Sequence, residues 1–167
     1  MEKIHTMADL LGYFLTWTTY GTWLPGDERG WVHHREGGVL PPDPERSRTA
    51  QRRMKDQPVR LSSDQRRIVR DSIIQSCRAK EWDIYALNVR SNHVHLVLAA
   101  SNESPERAIS YLKAWASRNL NEAPSRKTPR RWWTRHGSTR YIKTVSSLEK
   151  AVEYVTHHQE NRSRLER

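Results

Sequence analysis

The sequence predicts an α+β fold: a ferredoxin-like or RRM-like sandwich with a central antiparallel sheet and helices mainly on one face. Three observations point there. Short runs rich in β-branched and aromatic residues alternate with amphipathic stretches in the order β-α-β-β-α-β(β)-α. Two of the strand-like runs, 82–90 and 92–99, follow each other directly, as hairpin partners do. The chain has 167 residues, enough for one core, and is read as a single domain over 1–167.

Each element has a local reason. "GYFLTWTTY" (12–20) has strand composition. Residues 21–60 are rich in Gly, Pro and charge with little periodicity, and read as a long excursion. Trp23 and Trp31 partly order it, and it is expected to be mobile toward 41–58. Ser62 and Gln65 offer a capping box for a helix to about Lys80, with Val69, Ile73 and Cys77 at helical spacing. "WDIYALNVR" (82–90) and 92–99 are the central hairpin. Ser104-Pro105 opens a helix whose buried stripe is Ile109, Leu112, Trp115, Ala116 and Leu120. After a basic linker (122–130), "RWWTRH" and "TRYIKT", joined by Gly137-Ser138, read as a second hairpin. Ser146 and Glu149 make a capping box for a last helix running to about Asn161.

Composition narrows the partners. Lys and Arg number 29 against 19 Asp and Glu, a formal charge of +10, while seven Trp and six Tyr supply core material. Such an excess suits a polyanion, with nucleic acid the first candidate. Cys77 is the only cysteine, which excludes an internal disulfide and a thiolate zinc site. With no signal peptide and no membrane-length apolar run, the expectation is a cytoplasmic protein with no membrane partner.

The chemistry concentrates in "SNHVHLVLAA" (91–100). Val94, Leu96 and Leu98 claim the covered face of a strand, which leaves His93 and His95 as neighbours on the open one, within reach of one metal ion. Two surface histidines would show the same pattern. In the last helix Leu148, Val152 and Val155 define the buried face. Tyr154 and His158, four apart, flank it on one side, and His157 points away. A boundary tyrosine with a wet hydroxyl would look the same.

"SNHVHLVL" followed by a C-terminal helix with "YVTHH" resembles the small HUH-type single-tyrosine transposases, including the REP-associated tyrosine transposases, and "FLTWTTYGTWLPGDERGW" resembles the REP-associated members. The resemblance spans roughly 12 to 161. It implies that His93 and His95 are metal ligands, that Tyr154 is the nucleophile, and that His158 is the third ligand, with Gln159 as substitute. The family usually has Gln or Asn at the third position, so His158 departs from the pattern. The implied activity is metal-dependent cleavage and rejoining of single-stranded or hairpin DNA through a 5′-phosphotyrosine. The implied cofactor is Mg²⁺ or Mn²⁺; nitrogen ligands favour Mn²⁺ for tighter binding. The resemblance leaves both a homodimer and a monomer open.

DNA contacts are expected from the stretch holding Arg126, Lys127, Arg130, Arg131, Trp132, Trp133, Arg135, Arg140 and Lys143. Basic and aromatic residues together suit phosphate contact with base stacking, although strand alternation assigns one of the two tryptophans to the core. The rival reading is a non-catalytic RRM-like nucleic-acid binder, which would carry aromatics where this strand carries histidines.

Overall fold

The first strand, β1 (Gly12–Thr18), lies inside the sheet, and the rest of the fold is arranged around it in the computed structural model. The structure describes residues 10–32, 39–99, 101–124 and 130–158. After β1 come the short strands β2 (Trp31–Val32) and β3 (Val39–Leu40), then α1 (Pro44–Arg52), α2 (Ser63–Ala79), β4 (Ile84–Val89) and β5 (His93–Ala99). The chain continues through α3 (Pro105–Glu122), β6 (Ser138–Ile142) and α4 (Val145–Glu153), and α4 opens into a π-helical turn at Tyr154–His158. The main sheet has the order β4-β5-β1-β6, antiparallel throughout. With α2 and α3 as connections, this is the ferredoxin-like arrangement.

Strand alternation divides the core in two. Tyr13, Leu15 and Trp17 of β1 stand across from Leu98, Leu96 and Val94 of β5. On that face α2 supplies Val69, Ile73 and Cys77, and α3 supplies Ala108, Ile109, Leu112, Ala116 and Leu120. Leu15, Leu96 and Leu98 are fully buried, each contributing about 1.5–3 kcal/mol. The other face holds a smaller cluster of Ala86, Val97, Ile142, Ala151 and Val155, with Phe14, Leu148 and Val152 packed against it. So α2 and α3 cover one face, and α4 with its π-turn packs on part of the other.

The caps at Ser62/Gln65 and at Ser104-Pro105 are present as read, the first with both halves of the capping box formed. Four local readings are corrected. The segment expected to be mobile contains α1, capped by Asp43 with Pro44 in its first turn. Trp115 is exposed on α3, and Ala108 takes its place in the buried stripe. The last helix starts at the cap Thr144, which accepts from the Ser147 amide, because the strand ends at Ile142 and the nearer hydroxyl captures the first turn. The second hairpin is absent among the described residues. Instead both of its halves lie along β1: Trp133 bridges Thr19, the Tyr20 amide donates to the Trp132 carbonyl, and β6 pairs with 12–16. Gly137 is a close approach rather than a hairpin turn. A Cβ there would sit 2.8 Å from the Thr16 carbonyl oxygen.

Candidate functional site

On the face away from α2 and α3, β5 presents His93, His95 and Val97. The imidazoles of His93 and His95 lie edge to face with centroids 4.7 Å apart. Register gives each a cross-strand neighbour, Thr18 for His93 and Thr16 for His95 on β1, and Asn88 for His95 on β4. Thr16 Oγ1 is 2.8 Å from His95 Nδ1. Asn92 Oδ1, in the β4–β5 turn, is 2.7 Å from His93 Nδ1. A carboxamide oxygen only accepts, so His93 Nδ1 is the donor in this contact. Partners on Nδ1 that fix ring and tautomer are the usual support of metal-binding histidines. The turn is itself anchored: the Thr19 amide and hydroxyl donate to the Asn92 carbonyl at 2.9 and 3.1 Å.

His95 is 8% exposed. Phe14 lies 5.5 Å from its ring and Tyr154 lies 5.6 Å from it, the latter edge to face. Tyr154 also meets the edge of Phe14 at 6.0 Å, and its side of the cluster faces outward, with 40% exposure. Arg140 lies over Phe14, its guanidinium 5.0 Å from the ring centroid. The carbonyl of Val155, one residue after Tyr154, accepts from Asn88 Nδ2 at 3.1 Å. Two imidazoles, one exposed phenol and one arginine therefore share a single face.

Burial holds His95 neutral. It pushes the imidazole down to about 3, with His93 and Arg90 adding like-charge repulsion. A neutral imidazole is the form that ligates metal. It also makes a pH prediction for metal-free protein. Below about 6.5 an unfolded histidine takes up a proton that folded His95 refuses. Folding stability therefore falls as pH drops from about 6.5 toward 3, by up to about 1.4 kcal/mol per pH unit from this residue. Urea unfolding in EDTA at several pH values should show that slope flattened in His95→Gln; parallel slopes would contradict it.

The donors fit a divalent ion in part. Among the described residues no cluster of three His, Cys, Asp or Glu side chains forms. The histidine pair supplies two nitrogens, and the helix turn ending at His158 packs against β4 and β5. The side chain of His158, like Gln159, lies outside the described residues.

Of the expected DNA contacts, Arg126 and Lys127 lie outside the described residues. Arg131, Arg135, Arg140 and Lys143 are exposed. Arg130 has a structural engagement, donating to the Gln57 carbonyl and lying over Trp132. The stacking role read for the tryptophans is corrected: Trp132 and Trp133 are both buried, at 2% and 6% exposure. Trp132 donates to Asn121 Oδ1, and Trp133 packs edge to face on Trp17. Both belong to the core because their segment pairs with the end of β1 and is drawn beneath α3. Sequence reading also missed Thr16, Asn88, Asn92 and Phe14. The available signal was phase, since Thr16 and Thr18 alternate as the histidines do, and an asparagine inside a strand is unusual.

Comparison with known proteins adds to this geometry. A family model described as IS200-like transposase matches residues 52–158. A REP-associated tyrosine transposase, solved bound to a REP hairpin, is similar with a TM-score of 0.57 and 12% identity, over 92% of this chain and 69% of that one. A transposase candidate from Deinococcus radiodurans R1 is similar with a TM-score of 0.49 and 18% identity, over 93% of this chain and 95% of that one. No curated protein is similar enough to count as a relative. Among the described residues, no helix is long and apolar enough to cross a membrane.

Proposed function

The chain belongs to the IS200-like transposase family, and from that premise we propose that it cleaves and rejoins single-stranded, hairpin-forming DNA with Tyr154 as nucleophile. The observation that carries this reading is the half-exposed phenol of Tyr154 set 5.6 Å from His95, beside a histidine pair whose Nδ1 atoms are already engaged. His93 and His95, with His158 or Gln159 as third ligand, would hold a divalent ion, Mg²⁺ or Mn²⁺, which when bound would supply Lewis-acid polarisation of the scissile phosphate.

The chain's own residues do the rest. Tyr154 Oη attacks phosphorus; the O–P bond to tyrosine forms as the bond to the 3′ oxygen breaks. The phenolic proton passes to water and the leaving oxygen takes one proton from water, ending as a 3′-hydroxyl. The 5′-phosphate stays on the enzyme as an ester, so a 3′-hydroxyl can reverse the step and restore Tyr154 without an energy-supplying cofactor. An ordinary tyrosine has a pKa near 10, so the nucleophile needs positive charge nearby when it attacks. Arg140, over Phe14 on the same face, and Arg90, whose charge acts on His95, place positive charge at this face. The exposed Arg131, Arg135 and Lys143 extend the basic surface for the flanking phosphates.

The hairpin bound by the similar REP-associated protein motivates the substrate class. Incubating the chain with a panel of short labelled single-stranded hairpins and Mn²⁺ should give at least one band that survives denaturing electrophoresis and disappears on protease treatment. Binding across the panel with no covalent product would instead favour a non-catalytic RRM-like binder.

A further inference from the structure

We propose that Asn88 is a positioning residue for the nucleophile: its carboxamide fixes the helix turn that carries Tyr154 on the histidine strand. This rests on the reading of Tyr154 above. Asn88 stands inside β4, in the run "IYALNV", where asparagine is disfavoured and nothing in the ladder calls for it. Register places it directly across from His95. Its neighbour Leu87 belongs to the face under α2 and α3, so Asn88 shares the face of His95 and Val97. From there Nδ2 donates to the Val155 carbonyl at 3.1 Å. One side chain therefore links the residue opposite a candidate ligand to the residue next to the candidate nucleophile.

The helix needs such a link at this point. It is α-helical to Glu153 and π-helical from Tyr154. A π-turn is rare and is commonly found at functional sites. The Thr156 hydroxyl donates back to the Val152 carbonyl at 2.7 Å, a bond that competes with the regular ladder. The apolar grip on the turn comes from Ala151 and Val155, buried against Ala86, Val97 and Ile142. Such contacts are non-directional and tolerate sliding or rolling by a fraction of a turn. A hydrogen bond to a named carbonyl does not. It sets the height and rotation of the turn, and with them the 5.6 Å spacing between Tyr154 and His95.

The test compares Asn88→Leu, of similar size without a donor, Asn88→Ala, and Asn88→Gln, which keeps the amide. Protein is labelled with 3-fluorotyrosine, and the Tyr154 signal is assigned by its loss in Tyr154→Phe. The expectation is a shifted or broadened Tyr154 fluorine resonance in the Leu and Ala variants, with the Gln variant close to the parent. On a reactive hairpin, single-turnover adduct formation should slow about 10- to 100-fold for Leu and Ala, the scale of a nucleophile misplaced by about an ångström. Hairpin affinity should stay within about twofold, and Gln should recover most of the rate. A parental fluorine resonance in whichever of the Leu and Ala variants folds would overturn the proposal, as would a parental adduct rate in them. If the parent itself forms no adduct, the transposase mechanism fails, and the fluorine spectrum still decides whether Asn88 holds the turn.

Discussion

Truncating either His93 or His95 to alanine should abolish Mn²⁺ binding, and the two variants should differ in stability. Each removes one of only two nitrogens that the sheet contributes, and a single imidazole is a weak ligand for a divalent ion. Their settings differ. His95 is buried, packed by Phe14 and Tyr154 and bonded to Thr16, so its loss leaves a void and strands the Thr16 hydroxyl. About 1–3 kcal/mol of stability should go with it. His93 is only half-buried, at the turn end of the strand, and its loss should cost less than about 1 kcal/mol. An open sheet face would have tolerated both truncations equally; α4 and its π-turn make the face closed at His95 and open at His93. Calorimetric titration with Mn²⁺ and urea unfolding of the two variants read both effects. Parental metal binding by either would show that the pair is not a metal site.

Tyr154→Phe should remove DNA cleavage and the covalent product while leaving the rest of the protein as it is. The ring keeps its edge contacts with His95 and Phe14, and Ala151 and Val155 still hold the turn. With the phenol already 40% exposed, losing one oxygen should change stability by no more than about 1 kcal/mol. Metal binding should persist because no ligand changes, and hairpin affinity should persist because the basic surface is intact. Denaturing gels of labelled hairpin, run beside a binding assay, separate the alternatives. A metal-dependent hydrolase would go on cutting in the Phe variant with water as the attacking group. A binding module would give no product from either protein. Cleavage that survives the substitution would contradict the tyrosine mechanism.

What could be read from the sequence was what depends on local periodicity. The alternation of Val94, Leu96 and Leu98 against His93 and His95 gave the two faces of β5 before any partner strand was known. The caps of α2 and α3 were equally local. What escaped depends on which strand lies beside which. Thr16 meets His95, and Asn88 faces it from the other side, only through the registers of β1 and β4, and no spacing within one strand encodes a register. The 131–144 stretch has the turn residues of a hairpin, yet β1 outcompetes the local pairing. Trp132 and Trp133 are thereby drawn into the core, and a stretch read as stacking aromatics becomes structural. The helix carrying Tyr154 was legible in its buried face, while its change to π-helical pitch was not. The side chains that bond to this turn are Thr156 and Asn88, the latter 67 positions away from Val155.

The measurement that tests the central claim most directly is the site of covalent attachment. The full chain is incubated with a reactive hairpin and Mn²⁺, denatured, and digested with nuclease and trypsin. Mass spectrometry then searches for a nucleotide-bearing peptide. The tryptic peptide that begins at Ala151 contains the candidate nucleophile as its only tyrosine. The account predicts that this peptide carries a 5′-phosphonucleotide on Tyr154, and that EDTA prevents its formation. A nucleotide on any other residue, or cleaved DNA whose 5′-phosphate is free with no modified peptide, would contradict it.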